Sequence, residues 1–229
     1  MGKITEQPWV QAAIDVADIP TAVEIATMAV EAGCDWVEAG TPLLYGEGYK
    51  AITAMKKVAG NRPVVADFKA QDGCYSYFVH AKEAGADYAT VCVVNNDGGT
   101  LEALRARKDC GIKVLADLFG VSVEDAPARA QEVEALGVDG ICIHFGFDES
   151  QYNKKRRQSD GLKAVKDAVN IPVSCAADTL EEDIEAMNQG ADWVFFGADY
   201  LNEASPEKLP PLKHYVDTVH NCRRAVTKD

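Results

Sequence analysis

Four of the chain's six Gly-x-Asp triplets recur at an even spacing, and no other feature constrains its fold as tightly. They are Gly33-Cys34-Asp35, Gly85-Ala86-Asp87, Gly137-Val138-Asp139 and Gly190-Ala191-Asp192, spaced by about 52 residues each time. Each glycine closes a helical pattern, the expected stop signal just past a helix end. Each aspartate opens an apolar run: Trp36-Val37, Tyr88 to Val91, Gly140 to Ile143 and Trp193 to Phe196. A second series of apolar runs falls between these, at Val10 to Ile14, Pro63 to Ala66, Lys113 to Ala116 and Pro172 to Cys175. Two strand-helix units per repeat, four times over, give the rhythm of a (β/α)8 TIM barrel of the α/β class. A doubly wound open sheet would not explain four near-equal double repeats. The 229 residues match the size of such a barrel, so residues 1–229 are expected to form a single domain.

The spacing predicts strands over 9–15, 36–40, 63–69, 88–93, 113–118, 140–144, 172–176 and 193–197. Helices are predicted over 21–32, 48–59, 76–84, 100–110, 126–136, 161–169, 180–188 and 212–224, with a long loop after the sixth strand. No apolar run approaches membrane-spanning length, and no basic-then-apolar leader is present, so neither membrane insertion nor secretion is expected. A net charge of −13 argues against a nucleic-acid partner. The seven cysteines form no CxxC pair and lie mostly in apolar runs, which reads as buried thiols in a reduced, cytoplasmic setting.

Chemistry in such a barrel sits at the carboxyl ends of the strands. There the chain places Asp15, Glu38, Asp67, Lys69, Asp117, His144 and Asp178. By contrast, Asp35, Asp87, Asp139 and Asp192 start strands, on the face where a stabilising role is expected. The segment Val64-Val65-Ala66-Asp67-Phe68-Lys69-Ala70-Gln71-Asp72 is the most informative. Positions i and i+2 of a strand point the same way, so Asp67 and Lys69 project together, with Asp72 in the loop beyond. Charges there cost free energy unless they pair or act. Glu38 and Asp67 end neighbouring strands. Their oxygens suit Mg²⁺ rather than zinc; the alternative is that each carboxylate pairs with Lys69 or caps a helix. Lys69 is a Schiff-base nucleophile, an electrostatic stabiliser or a counter-ion, and acids on both sides favour the ammonium. His144 is a general base or a structural cap. His80 falls in a helix, and His214 and His220 fall in the last helix among solvent-facing charges.

These residues resemble a known family. Val37-Glu38-Ala39-Gly40-Thr41-Pro42-Leu43, Asp67-x-Lys69-x-x-Asp72, Ala116-Asp117-Leu118-Phe119-Gly120 and Ile143-His144-Phe145-Gly146-Phe147-Asp148 are similar to the 3-hexulose-6-phosphate synthases, within the orotidine-monophosphate decarboxylase superfamily. The similarity runs from Ala13-Ile14-Asp15 to Gly197. It implies a Mg²⁺-dependent aldolase joining formaldehyde to ribulose 5-phosphate through an enediolate. Glu38 and Asp67 would ligate the ion, His144 would take the proton beside the carbonyl, and Lys69 would stabilise the enediolate. Asp15 would orient sugar hydroxyls and Asp117 would stand behind the site. Asp72 would cross a homodimer interface into the neighbouring site.

The family holds the substrate phosphate on glycine-rich loops after strands seven and eight. By resemblance, Ala176, Ala177, Gly197 and Ala198 would take that part, yet this chain reads Cys175-Ala176-Ala177-Asp178-Thr179 and Gly197-Ala198-Asp199. A carboxylate at about 4 Å from a phosphate charge costs roughly 4 kcal/mol at an effective dielectric near 20. Either Asp178 and Asp199 turn away or the substrate differs. The loop after strand six carries Lys154-Lys155-Arg156-Arg157, which reads either as a solvated loop or as a lid over an anion. Three functions stay open: the aldolase, a decarboxylase of a β-keto sugar acid that shares its enediolate, and a barrel that binds without turnover.

Overall fold

A computed structural model of the chain describes residues 9–94, 97–177, 179–197 and 200–226. In chain order the elements are β1 (Trp9–Ile14), α1 (Ile19–Ala32), β2 (Trp36–Ala39), α2 (Thr41–Glu47), α3 (Tyr49–Ala59), β3 (Val64–Ala70), α4 (Cys74–Ala84), β4 (Tyr88–Cys92) and α5 (Gly98–Cys110). They continue with β5 (Lys113–Asp117), α6 (Ala126–Leu136), β6 (Gly140–Ile143), α7 (Phe147–Tyr152), α8 (Leu162–Ala168), β7 (Val173–Ala177), α9 (Leu180–Asn188), β8 (Trp193–Phe196) and α10 (Leu209–Val226). The eight strands pair in sequence order, all parallel, and β8 pairs with β1 to close the barrel. The expected TIM barrel is therefore present. Among the described residues no helix is long and apolar enough to cross a membrane.

Two helices depart from the sequence reading. Pro42 in the first turn and buried Leu43 and Leu44 start α2 directly after β2, where a loop was expected. The long loop after β6 holds the short α7, whose first turn carries Asp148 and Glu149 at its positive end.

The Gly-x-Asp repeat has a physical meaning. Gly33, Gly85, Gly137 and Gly190 sit just past α1, α4, α6 and α9 with φ between 101° and 109°, where a side chain would be strained. Each following aspartate then ties two strands together. Asp35, Asp87, Asp139 and Asp192 accept hydrogen bonds from the backbone N–H groups of Val10, Val64, Val114 and Val173, at 2.9, 3.0, 2.9 and 2.8 Å. Each carboxylate also meets a side chain from an outer helix. Lys56 reaches Asp87 at 2.9 Å, Arg107 reaches Asp139 at 2.9 Å, and Lys166 pairs with Asp192. The fourth position, at the β8–β1 closure, uses His220 on Asp35 at 2.7 Å. His220, placed by the sequence in the last helix near solvent-facing charges, is thus a half-buried tie.

The lumen is filled in layers. Trp9, Trp36, Tyr88 and Trp193 plug its lower end, with ring centroids 5.2 Å apart for Trp9–Trp36, 4.5 Å for Trp36–Tyr88 and 5.6 Å for Trp36–Trp193. Gly140 leaves the room this plug needs, since a Cβ there would lie 3.1 Å from the Trp193 ring. Above the plug the inward positions turn polar, and the chemistry-bearing side chains begin. A second, larger apolar core separates the strands from the helices.

Candidate active site

Alternation along the strands aims Gln11, Glu38, Asp67, Thr90, Asp117 and Cys142 into the upper lumen. With Ala13, Asp15, Lys69, His144 and Phe195 they line a cavity of about 60 Å3. Of the residues the sequence singled out, this brings Asp15, Glu38, Asp67, Lys69, Asp117 and His144 together.

Lys69 is the one non-glycine residue with a positive φ (45°) among the described residues. The β3–β4 register shifts between Ala66 and Ala70, so the strand bulges at this point. The Lys69 N–H donates to Thr90 Oγ1 at 2.9 Å, and its ammonium pairs with Asp67 and donates to Thr41 Oγ1 at 3.0 Å. Asp67 also accepts from Thr90 Oγ1 at 2.8 Å and Thr41 Oγ1 at 2.7 Å. Burial opposes the Lys69 charge, but Asp67, Asp117 and Glu38 outweigh it and raise its pKa. These charges favour the ammonium over the free amine that a Schiff base needs. Burial likewise favours the acid form of Asp67, yet Lys69, Thr41 and His144 hold its carboxyl below the usual range.

Glu38 is buried and accepts a hydrogen bond from the Gln11 amide. Burial first, then the charges of Asp67 and Asp15, push its pKa well above the ordinary carboxylate range. Asp15 is raised for the same reasons, burial and Asp67. Its carboxylate lies so close to Gly40 that a Cβ there would overlap Oδ1, and a Cβ on Gly197 would come within 3.3 Å of Oδ2. Two glycines thus make the slot that holds Asp15.

His144, one residue past β6, sets Nδ1 3.2 Å from Asp117 Oδ2, while Asp117 Oδ1 accepts from the Phe119 N–H at 2.8 Å. The imidazole lies between Phe119 and Phe195, with centroids at 5.5 and 5.8 Å. Phe119 fits because residue 146 is glycine; a Cβ there would overlap the ring. Burial disfavours the imidazolium, but Asp117 and Asp67 outweigh it and raise the His144 pKa. In the neutral imidazole with Asp117 accepting from Nδ1, the lone pair lies on Nε2. Cys142 at the cavity floor has its thiol pushed well up by burial and Asp117, so it is no nucleophile.

Other expected site residues fall elsewhere. Asp72 is exposed and does not line the cavity of its own chain. Ala176 and Ala177 are buried at the end of β7, and Gly197 stands beside Asp15. Ala198, Asp178 and Asp199 lie outside the described residues. In the loop after β6, Arg157 pairs with Glu185 at 2.7 Å and Arg156 stacks 4.3 Å over the Phe145 ring. Gln158 grips the Phe145 backbone from both sides, at 2.9 and 3.0 Å. Gln11, Thr41 and Thr90 were missed by sequence reasoning. Gln11 and Thr90 are single polar residues at lumen-facing positions of otherwise apolar strands, and that signal was available.

Among the described residues no three His, Cys, Asp or Glu side chains gather as a metal cluster. Glu38 and Asp67 nevertheless fit one hard cation. Both donate oxygen only, they crowd each other's charge, and two carboxylates leave positions open for water or substrate.

Fold and site define a (β/α)8-barrel enzyme whose chemistry lies in a charged, half-closed barrel mouth. The family model described as Orotidine 5'-phosphate decarboxylase / HUMPS family matches residues 8–208, and the chain belongs to that family. It is 33% identical over 196 residues to 3-hexulose-6-phosphate synthase of Bacillus subtilis (strain 168), covering 85% of this chain and 91% of that protein. It is 34% identical over 197 residues to the Mycobacterium gastri protein of the same name, covering 86% and 93%. A crystal structure of 3-hexulose-6-phosphate synthase superposes with a TM-score of 0.81 at 32% identity, over 91% of this chain and 99% of that one. The chain is therefore a lyase of this family, similar to the 3-hexulose-6-phosphate synthases.

Proposed function

We propose that the chain is a Mg²⁺-dependent aldolase that joins formaldehyde to ribulose 5-phosphate. The observation that carries this reading is the pairing of a proton acceptor with an anion stabiliser in one cavity: the His144–Asp117 dyad and the Asp67-paired Lys69. Glu38 and Asp67 would hold the cation, which supplies Lewis-acid polarisation of a substrate carbonyl when bound. His144 Nε2 takes the proton from the carbon beside that carbonyl. The Lys69 ammonium, fixed by Asp67 and Thr41, stabilises the negative oxygen that develops. The resulting enediolate carbon bonds to the carbon of formaldehyde, and the His144 imidazolium returns its proton to the former aldehyde oxygen. Asp15, in its glycine slot, accepts from sugar hydroxyls. The Phe119 and Phe195 rings flank the imidazole.

The active unit is a homodimer in this reading. Asp72 is exposed and does not line the cavity of its own chain. Beside Asp67 lies a second cavity of about 280 Å3, walled by Leu44, Tyr49, Phe68 and the exposed rings of Tyr45 and Tyr77. An apolar hollow of this kind at the rim of a site suits the seat of a partner copy. The buried thiols suit a reduced, cytoplasmic setting.

The test is formaldehyde-dependent loss of ribulose 5-phosphate with Mg²⁺ and with a chelator, alongside CO2 release from 3-keto-gulonate 6-phosphate. Turnover that needs formaldehyde and stops with the chelator is expected. CO2 release without aldol activity, or turnover that survives both the chelator and joint replacement of Glu38 and Asp67 by alanine, overturns the reading.

A further inference from the structure

Beneath the acids of the mouth runs a hydrogen-bonded chain that crosses three adjacent strands. The Trp193 indole N–H, from β8, donates to Gln11 Oε1 of β1 at 3.0 Å. The Gln11 amide nitrogen then donates to Glu38 Oε2 of β2. All three side chains are buried, at 0%, 3% and 5% exposure.

An indole can only donate, so it compels the glutamine to turn its oxygen toward β8. The amide NH2 group is left to face Glu38, whose ionised form, the one that would hold a cation, can only accept. The polarity of the whole chain is thereby set from the barrel floor. Reversing the amide would place two donors together at Trp193 and two acceptors together at Glu38, each an unsatisfied buried contact. A leucine would fill the same lumen position in β1 without these demands, so packing alone does not account for the amide.

We propose that Gln11 is a positioning residue for Glu38, and that the Trp193 indole sets the direction in which Gln11 donates. One Glu38 oxygen is held toward the floor, leaving the other for the cavity. This rests on the reading of Glu38 as a cation-holding residue. Groups that orient a ligating carboxylate typically matter by 10- to 100-fold in metal affinity.

Titration calorimetry with Mg²⁺ alone on the wild type, Gln11→Leu and Trp193→Phe tests the idea. Roughly tenfold weaker binding is expected for Gln11→Leu, with a smaller loss for Trp193→Phe, and with kcat at saturating Mg²⁺ falling less than the affinity. Wild-type affinity in both variants overturns the proposal. A second measurement needs neither metal nor turnover. In ¹H–¹⁵N spectra of the metal-free protein, Trp193→Phe identifies the Trp193 indole signal among the three tryptophans. Glu38→Gln should move that signal through Gln11; a Trp193 signal unchanged in Glu38→Gln also overturns the proposal. If the wild type binds no Mg²⁺, the metal reading of the site falls and the indole comparison alone decides the role of Gln11. The same comparison decides it if Gln11→Leu does not fold.

Discussion

At the scale of single residues, the His144–Asp117 dyad governs how activity should depend on pH. The base must be neutral to accept a proton. Its pKa is raised, because Asp117 and Asp67 favour the imidazolium more than burial disfavours it. Activity should therefore fall as pH drops through a value above the ordinary histidine pKa of about 6.5. Asp117→Asn removes the charge that raises the pKa and weakens the hold on Nδ1. Its acidic limb in kcat/KM should shift to lower pH, and its plateau should drop by about 10²- to 10⁴-fold, the usual worth of a positioned base. A pH–rate profile of the two proteins checks both effects, and an unshifted limb would assign it to another group. The same raised pKa stabilises the fold on the acid side. That contribution is full below the unfolded value and is lost as pH rises through the folded one.

At the scale of elements, the loop between β6 and α8 is anchored at its root and free at its tip. Arg157 is committed to Glu185, Arg156 to the Phe145 ring, and Gln158 to the Phe145 backbone. Lys154 and Lys155 are exposed, and neither has an ion pair among the described residues. If the loop closes over an anion, these two lysines carry the charge. Serine at both positions should raise KM for a phosphorylated sugar severalfold while leaving kcat within about twofold, the pattern of lost uniform binding. Identical steady-state constants would make the loop a solvated surface. The elements also show what was legible in the sequence. The repeat of Gly33, Gly85, Gly137 and Gly190 gave the barrel, because helix stops and strand starts are local signals. It also placed the four aspartates on the face away from the chemistry. Their partners were not legible, since Lys56, Arg107, Lys166 and His220 arrive from other helices through tertiary packing. Helix α2 was hidden because its start depends on Leu43 and Leu44 finding a buried surface. In the site, Asp67 and Lys69 were legible from strand alternation. Gln11 stood out only as a lone polar residue in an apolar strand; its partner was not legible, because Trp193 lies 182 residues away.

At the scale of the whole molecule, the two ends of the barrel divide the labour, and the division can be measured. Asp139 ties β5 to β6 on the lower face, together with Arg107. Asp139→Asn keeps an acceptor for Val114 but loses the charge, so it should cost about 1–2 kcal/mol and lower Tm by about 2–8 °C, with kcat unchanged. A comparable loss of kcat would mean that the two faces are coupled. The upper face raises the question of assembly. Asp72 belongs to the same motif as Asp67 and Lys69, yet it stands exposed outside the cavity they share. If each site combines its own Lys69 with the Asp72 of a second copy, Lys69→Ala and Asp72→Ala should each abolish activity as pure dimers. Mixed and reassembled, they form heterodimers in which both substitutions fall in one site and the other site is intact. Random exchange makes half of the dimers mixed, so about one quarter of wild-type activity should return. If Asp72 serves its own site, every site in every dimer carries a substitution and no activity returns.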